Sequence, residues 1–315
     1  MHIASRGSCQ VVQLKVIFLG TSSSVPTRKR GLSAIAVKRG SEVILFDAGE
    51  CVQRAMMYAG LGLNRPMKIF ITHLHGDHCV GLLGLLQSMS MMKRDKPLSI
   101  YGPKGIIGFV KYNIKALAFD LTFDLQIKNV KEGLVVEEEE YSVYACRAEH
   151  SRLTYAYLLE EKPRPGVFYP EAARRLGIPE GRLWSILQRG EVITYQGRVI
   201  TPDQVMGPKR RGRKIGYSGD TRPSKKLIEF FRGCDLLIFD STYADRHAEK
   251  AEENLHSTAR EAAFIAKEAG VKTLVLTHFS ARYDDASELV KEASEVHGNT
   301  IAAEDLMEIE VKYPE

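Results

Sequence analysis

Short apolar runs that end at a glycine, an aspartate or a histidine are the feature that most constrains how this chain can fold. In the first quarter of the chain the runs 14–20, 42–49 and 67–73 end in this way, and a further apolar run, 33–38, ends at Lys38. They are rich in β-branched residues and bounded by turn residues, a pattern that is typical of strands. Between and after them, 50–60 and 80–94 show helical patterns.

The rest of the chain continues this alternation after a break. Further strands are expected at 98–103, 121–128, 141–149, 215–223, 234–245, 272–283 and 306–313, and further helices at 106–117, 256–269 and 284–297. Strands therefore cluster in both halves, with helices after several of them. This order favours an α/β fold of two mixed sheets with helices outside them, a four-layer αββα arrangement. A doubly wound parallel sheet is the alternative.

The segment 161–214 has a different composition from the rest. It holds six of the twelve prolines and few long apolar runs. Such a composition predicts an arm or insertion rather than a core element. We therefore expect a single domain over 1–315 with an inserted arm at about 161–190. The acidic run 137–140 is expected to be a solvated turn.

Composition limits the class of protein. The 315 residues are 44% hydrophobic and 26% charged, with a formal net charge of +5. This small excess is compatible with a polyanionic partner without requiring one. No apolar run is long enough to span a membrane, and the first residues lack the apolar core of a signal peptide. The five cysteines are scattered and form no CxxC pair. We expect a cytoplasmic protein with reduced thiols and no membrane partner.

The stretch "THLHGDH" after the strand at 67–73 concentrates side chains that bind metals. At strand-like spacing His73 and His75 point the same way, and Asp77 and His78 follow in the turn and at a helix start. Such a cluster can supply ligands to two metal ions about 3.5–4 Å apart. Imidazole and carboxylate ligands without thiolate suit zinc, manganese or iron with open positions for water. The alternative is a surface loop that happens to be rich in histidine.

Three later strand ends offer the ligands that this cluster lacks. His150 in "AEHS", Asp220 in "SGDT" and His278 in "LTHFS" each follow an apolar strand. Each alone is more often a structural residue, but their shared position allows all three to converge on one edge of the sheets. Asp220 is the natural candidate to bridge two metals.

Together these motifs resemble a known family. The stretches "LGTSSSVPTRKRGLSAI", "FDAGE", "THLHGDH", "AEHS", "SGDTRP", "DSTYAD", "HST" and "THFSARY" resemble the tRNase Z family of the metallo-β-lactamase superfamily, from about residue 14 onward. The resemblance implies a metallo-β-lactamase αββα sandwich with a protruding exosite arm that grips the tRNA elbow. It also implies a zinc-dependent endoribonuclease that removes the 3′ trailer from precursor tRNA. The tRNA would keep a 3′-hydroxyl and the trailer a 5′-phosphate.

The resemblance also implies a role for individual residues. One Zn2+ would be held by His73, His75, His150 and Asp220, and the other by Asp77, His78, Asp220 and His278. Mn2+ could replace Zn2+. Asp47 is expected to orient a histidine ligand. His256 would protonate the leaving oxygen with help from Asp240, and Asp77 would accept the proton of the nucleophile. Family members are typically homodimers in which one subunit's arm serves the other's active site.

Several positions depart from the usual family pattern. Asp240 stands where glutamate is common, and Cys51 and Val52 replace glycine and threonine. Gly31 stands where asparagine is usual, and Arg182 replaces a proline near the tip of the arm. None of these departures removes an expected metal ligand.

RNA contacts are expected around the metal site and on the arm. Ser280 and Arg282 directly follow a ligand, and Arg282 could grip a phosphate. Thr27 lies in a hydroxyl-rich loop that could contact a phosphate or could be a polar turn that satisfies its own backbone. The arm interleaves basic and aromatic residues, Arg182 among them, which suits a phosphate backbone or an ordinary solvated loop. The basic run 208–214 is a second RNA contact or a flexible approach to the next strand.

Two other functions remain open from the sequence. A related dinuclear-metal phosphodiesterase or arylsulfatase acting on small esters would share the metal site but would need no basic arm. A non-catalytic RNA-binding relative would keep the fold, but such chains typically lose ligands, and this chain keeps all seven.

Overall fold

The structure is a computed structural model that describes residues 12–314. The first residues, expected to lack a signal peptide, lie outside the described part. Two compact units divide the chain. The larger one, which we call the body, comprises 13–160 and 213–312. The smaller one, which we call the arm unit, contains 161–212 together with 12 and 313–314.

Strands and helices alternate through the body, and short elements build the arm unit. The strands are β1 (Leu14–Gly20), β2 (Ala34–Arg39), β3 (Glu42–Phe46), β4 (Met67–Phe70), β5 (Leu98–Gly102), β6 (Leu125–Asn129), β7 (Gly133–Glu137), β8 (Tyr141–Ala148), β9 (Thr154–Glu161), β10 (Ile193–Tyr195), β11 (Arg198–Ile200), β12 (Lys214–Tyr217), β13 (Leu236–Asp240), β14 (Thr273–Thr277), β15 (Thr300–Ala302) and β16 (Glu308–Glu310). The helices are α1 (Val52–Tyr58), α2 (Gly76–Cys79), α3 (Gly81–Met91), α4 (Ile106–Ala116), α5 (Pro170–Arg175), α6 (Arg182–Gln188), α7 (Lys225–Phe230), α8 (Ala248–Glu253), α9 (Ala259–Glu268) and α10 (Ser287–Ser294). Within 12–314 there is no helix whose length and apolarity together would let it cross a bilayer.

Two seven-stranded mixed sheets form the body. The first has the order β16-β1-β2-β3-β4-β5-β6 and the second the order β15-β14-β13-β12-β9-β8-β7. In the first sheet, β3 to β6 run parallel, and in the second, β12 to β15 do. Each sheet therefore has a set of neighbouring strands whose carboxyl ends lie at the same edge, where loops can gather functional side chains.

Side chains of the central strands are buried on both faces. In β1, Val16 and Phe18 belong to the core between the two sheets, while Ile17 and Leu19 belong to the core beneath the outer helices. This follows from the alternation of side chains along a strand. A strand that is covered on both faces reads as a continuous apolar run, as these strands do in the sequence.

Three apolar cores separate four layers in the body. One lies between the two sheets, one between the first sheet and α1, α3 and α4, and one between the second sheet and α7, α9 and α10. The expected four-layer αββα arrangement is confirmed, and the alternative of one doubly wound parallel sheet is wrong.

Sequence patterns missed three strands of the second sheet, β7, β9 and the three-residue edge strand β15. β9 is buried along almost its entire length, so its apolar run lacks the alternation that marks a strand. β7 is largely exposed and lies at the sheet edge. Several predicted strands also end earlier than expected: β3 ends at Phe46 and β4 at Phe70. The residues that follow these two strands, such as Asp47 and His73, lie in loops.

The arm unit has a core of its own. Apolar side chains from α5, α6, β10, β11 and the loops between them form it: Ala173, Ile178, Leu187, Ile193, Ile200, Val205 and Met206. Trp184 packs on Phe168 with ring centroids 5.1 Å apart and donates its indole N–H to the carbonyl of Ile178. Part of the aromatic content of this segment is therefore structural.

Phe46 offers a direct test of the core between the sheets. Its ring lies 5.6 Å from that of Phe70 and 5.8 Å from that of Tyr157, and it is 1% exposed. Replacing Phe46 with alanine should lower the free energy of unfolding by about 3–5 kcal/mol, because it leaves a cavity in a packed interior. Urea denaturation followed by circular dichroism measures this change.

Phe264→Ala is the control, since Phe264 is 51% exposed. That substitution should change the free energy of unfolding by about 0.5 kcal/mol or less. Equal losses in the two variants would contradict the assignment of Phe46 to the central core.

Candidate metal centre

Loops at the carboxyl ends of strands from both sheets gather the expected metal ligands. His73 follows β4 of the first sheet, and Asp220 and His278 follow β12 and β14 of the second, the two strands on either side of β13. His150 follows β8. The structure brings all seven expected ligands together in two groups that share Asp220: His73, His75, His150 and Asp220, and Asp77, His78, Asp220 and His278.

The first group has ligand atoms that face a common point. The Nδ1 atom of His75 lies 3.0 Å from Nε2 of His73 and 3.2 Å from Nε2 of His150. Oδ2 of Asp220 lies 3.6 Å from Nε2 of His73. His73 is completely buried, so the group is closed to solvent on that side.

The second group is arranged in the same way around the other carboxylate oxygen of Asp220. Nε2 of His78 lies 3.3 Å from Nε2 of His278 and 3.2 Å from Oδ1 of Asp220. Oδ2 of Asp77 lies 3.6 Å from Nε2 of His78. One oxygen of Asp220 thus faces each group.

These distances fit metal coordination. Ligand atoms at about 2.0–2.1 Å from a tetrahedral zinc are about 3.3 Å from one another, close to the nitrogen–nitrogen distances in both groups. Among the described residues, Oδ1 of Asp220 is a buried oxygen without a hydrogen-bond partner. Because an unsatisfied buried carboxylate oxygen is costly, this atom calls for a cation. The residues present therefore fit a pair of divalent ions.

The hydrogen bonds behind the histidines select the tautomer that a metal needs. Nδ1 of His78 lies 2.7 Å from Oδ2 of Asp47, and Nδ1 of His150 lies 2.9 Å from the carbonyl oxygen of Leu255. These acceptors require the proton on Nδ1, which leaves the lone pair of Nε2 directed into the site. His75 differs from the other four histidines of the two groups, because its Nδ1 atom, rather than Nε2, faces the site.

Asp47 supports two of the histidines. Its carboxylate accepts hydrogen bonds from His78, from the backbone and hydroxyl of Thr72, and from the hydroxyl of Tyr217. The Thr72 hydroxyl donates to Asp47 and so accepts from Nδ1 of His73 at 2.9 Å. The structure thus places Asp47 behind His78 directly and behind His73 through Thr72. Sequence patterns did not indicate Thr72 or Tyr217, because neither is a ligand type.

A second relay of the same kind lies on the other side of the site. The Thr242 hydroxyl donates to Oδ1 of Asp240 at 2.6 Å and accepts from Nδ1 of His278 at 2.9 Å. Oδ2 of Asp240 lies 2.8 Å from Nδ1 of His256. The side chain of Asp240, shorter than the usual glutamate, therefore reaches His256. Sequence reasoning also missed Thr242.

His256 lies beside both metal groups. Its ring centroid is 4.9 Å from that of His150 and 5.2 Å from that of His278, and the residue is 8% exposed. Burial opposes a charge on this imidazole, but the Asp240 carboxylate outweighs burial and raises the pKa of His256 above its ordinary value. This shift favours the protonated form, which can donate a proton, relative to a free imidazole.

Left-handed backbone conformations surround the site. His278 has φ 64°, Asp47 has φ 59°, and Ser24 has φ 57°. The backbone N–H of Ser24 donates to Oδ2 of Asp77 at 2.8 Å, so this strained residue fixes a ligand. Cys51 also has a left-handed φ of 61°, which explains why glycine suits this position in the family.

The residues expected to contact RNA occupy varied settings. Arg282 donates to the hydroxyl of Ser280 at 2.9 Å, and its guanidinium lies 5.0 Å above the centre of the Tyr243 ring. The Thr27 hydroxyl accepts from the backbone N–H groups of Lys29 and Arg30, so it caps its own turn. Arg182 is exposed at the first position of α6, where proline is also favourable.

Comparisons with known proteins agree with this geometry. The family model described as Anti-Pycsar protein Apyc1 matches residues 14–157, and the Beta-lactamase superfamily domain model matches residues 193–279. In solved structures, the short form of human tRNase Z has a TM-score of 0.70 at 28% identity, covering 95% of this chain and 99% of that one.

Relatives from archaea are more similar in sequence. The ribonuclease Z of Nitrosopumilus maritimus is 53% identical, covering 95% of this chain and 100% of the relative. The ribonuclease Z of Methanosarcina acetivorans is 49% identical, covering 95% of this chain and 99% of the relative. Similarity of this degree over nearly the whole length shows that the chain belongs to the ribonuclease Z family and is a phosphodiester-cleaving endonuclease.

Proposed function

We propose that the protein is a zinc-dependent endoribonuclease that removes the 3′ trailer from precursor tRNA. The observation that carries the proposal is the pair of four-ligand groups that share Asp220, with His256 beside both. The name of the relatives, ribonuclease Z, and that of the human neighbour of known structure, tRNase Z, support tRNA as the substrate. The expected products are tRNA with a 3′-hydroxyl and a trailer with a 5′-phosphate.

Two Zn2+ ions fit the ligand groups by their chemistry. One would be held by the group of His73 and the other by the group of His278, with one oxygen of Asp220 for each. Histidine and carboxylate ligands suit zinc, and Mn2+ is a second ion that such ligands accept. When bound, a pair of such ions lowers the pKa of coordinated water and offsets charge on the scissile phosphate.

Metal content tests the sharing of Asp220. The wild type should hold two zinc ions per chain, and His75→Ala, which removes a ligand of one group, should hold about one. Asp220→Ala should hold fewer ions than His75→Ala, since it removes a ligand from both groups. Elemental analysis after dialysis against a weak chelator measures the ratio.

The control for the metal experiment is Asp285→Asn. Asp285 is a carboxylate at the surface that accepts from the backbone and hydroxyl of Ser287. The zinc content of the Asp285→Asn variant should equal that of the wild type. If Asp220→Ala and His75→Ala retain the same amount of zinc, Asp220 does not serve both groups.

Two side chains would move protons in the reaction, and a third would hold one of them in place. The carboxylate of Asp77 borders the second group and is partly accessible, and we assign it the proton of the attacking water. Nε2 of His256 would give a proton to the departing 3′-oxygen, with Asp240 holding Nδ1.

His256→Ala tests the proton donor. Loss of a general acid typically slows a reaction by about 100-fold to 10,000-fold, so cleavage of a 3′-extended tRNA precursor should slow by that factor. Gel analysis with end mapping of both fragments gives the rate and the chemistry of the ends. Zinc content should stay at the level of the wild type.

A small ester substrate separates this proposal from its main alternative. Bis(p-nitrophenyl) phosphate releases nitrophenolate, which needs no proton, so His256→Ala should hydrolyse it nearly as fast as the wild type. If the wild type hydrolyses this ester and leaves the tRNA precursor intact, the protein is a small-ester hydrolase. If it binds the precursor and hydrolyses neither, it is a non-catalytic relative.

We regard the arm unit as an insertion in a single metallo-β-lactamase domain. We propose that it contacts the part of the tRNA that lies away from the cleavage site. Several of its charged side chains are paired: Arg174 with Glu171 and Glu180, and Arg189 with Glu191. Arg175 and Arg182 are exposed and carry no ion pair to any described residue. Unpaired guanidinium groups are available to phosphates, and each such contact adds salt-dependent affinity.

Removing these two charges should weaken binding without changing the chemical step. The double variant Arg175→Ala, Arg182→Ala should raise KM for the tRNA precursor by about 10-fold and reduce the salt dependence of binding, since each phosphate contact releases about one counterion. Rates measured from 50 to 200 mM salt give both values.

Arg174→Ala serves as the matched control for the arm, because its guanidinium is already paired with Glu171 and Glu180. It should raise KM less than the double variant does. An unchanged KM in the double variant would remove the arm from substrate binding. The homodimer and the cytoplasmic location expected from the sequence stay predictions.

A further inference from the structure

Arg222, in the stretch "SGDTRP", makes a forked contact next to the candidate proton donor. Its Nη1 atom donates to the carbonyl oxygen of His256 at 2.6 Å and to Oε2 of Glu261 at 2.7 Å. Its Nη2 atom donates to Oε1 of the same glutamate. One guanidinium thus holds the backbone of His256 and both oxygens of a carboxylate.

Glu261 is itself fixed by the start of α9. Its Oε2 atom accepts from the backbone N–H of Thr258 at 2.9 Å, and its own N–H donates to the Thr258 hydroxyl. This capping box locks the glutamate to the first turn of the helix. Because Glu261 cannot move independently of α9, it gives Arg222 a rigid anchor.

The backbone of Arg222 is equally constrained. Its N–H donates to the carbonyl oxygen of Glu149 at 2.9 Å, next to the ligand His150. The neighbouring Thr221 carbonyl accepts from the Ser257 hydroxyl at 2.6 Å. The arginine therefore stands between two fixed segments, and its side chain is the bridge to the His256 carbonyl.

The pair between Arg222 and Glu261 is largely shielded. The side chains are 18% and 30% exposed, respectively. A bidentate arginine–carboxylate pair keeps both side chains in one geometry. Lysine at this position could carry the charge but could not make the three donor contacts at fixed angles.

We infer that Arg222 is a positioning residue that sets the imidazole of His256 for proton donation to the leaving oxygen. The inference rests on the proposed function, since it needs a leaving group that must be protonated. The side chain of His256 is held by Asp240 at Nδ1, but that bond alone allows the ring and backbone to shift together. Arg222 fixes the backbone end, so the two contacts together fix the direction of Nε2.

The expected signature is a loss that depends on the leaving group. A misplacement of about 1 Å can cost about 100-fold in rate. Arg222→Ala should therefore lower kcat on the tRNA precursor by about 10-fold to 100-fold, with KM within about twofold. Hydrolysis of bis(p-nitrophenyl) phosphate should stay within about threefold of the wild type, because its leaving group needs no proton.

The test measures kcat and KM for the tRNA precursor, the rate of hydrolysis of bis(p-nitrophenyl) phosphate, and the zinc content. The proteins compared are the wild type, Arg222→Ala, Arg222→Lys and Glu261→Gln. In the His256→Ala background, Arg222→Ala should have no further effect on precursor cleavage, as expected for a residue that acts only through His256. Arg232→Ala is the matched control: Arg232 also pairs with a glutamate, Glu229, but both are exposed on α7 and its end. This control should match the wild type on both substrates.

Three outcomes would overturn the inference. Equal loss on both substrates together with lost zinc would make Arg222 a support of the ligand His150 instead. Precursor cleavage by Arg222→Ala at the rate of the wild type would show that Arg222 has no positioning role. Additive losses in the double variant would show that it acts independently of His256. If Arg222→Ala does not fold, Arg222→Lys and Glu261→Gln carry the same test. A wild type that leaves the precursor intact contradicts the proposed function itself, and that result is distinct from all three.

Discussion

A buried carboxylate at the end of β3 imposes the constraint on which the site depends. Asp47 is fully buried and must be satisfied by hydrogen bonds, or it would cost several kcal/mol. Its partners come from the loop after β4 and from Tyr217 of β12, in the other sheet. The packing between the sheets therefore has to be correct before this charge is stable. The hydrogen bonds that stabilise the Asp47 carboxylate are also the ones that orient His78 directly and His73 through Thr72.

The opposite side of the site repeats this solution with other residues. Asp240 at the end of β13 orients His278 through Thr242 and holds His256 directly. In both relays a threonine hydroxyl stands between a carboxylate and an imidazole. A hydroxyl can donate to one group and accept from the other, so it fixes the tautomer without adding a charge. Two carboxylates thereby control four of the side chains proposed for chemistry.

Much of the fold and the ligand set could be predicted from the sequence, because both produce local patterns. An expected ligand such as His278 directly follows an apolar strand, and "THLHGDH" concentrates expected ligands within one turn. Supporting residues leave no such pattern. Thr72, Thr242, Tyr217 and the side chain of Arg222 matter because of partners far away in the chain, and only the folded arrangement supplies these partners. β9 escaped prediction for a related reason, since complete burial removed its periodicity.

Four carboxylates are gathered at the centre of the body: Asp47, Asp77, Asp220 and Asp240. Three are 2% exposed or less, and Asp77 is the partly accessible one. Two divalent cations would bring a charge equal and opposite to theirs when the five ligand imidazoles are neutral, and the proton on His256 would then be the one further positive charge among these side chains. A single ion leaves an uncompensated buried charge, which favours filling the second position once the first is filled. The charge count of these side chains thus supports the proposed pair of divalent ions, independently of which element supplies them.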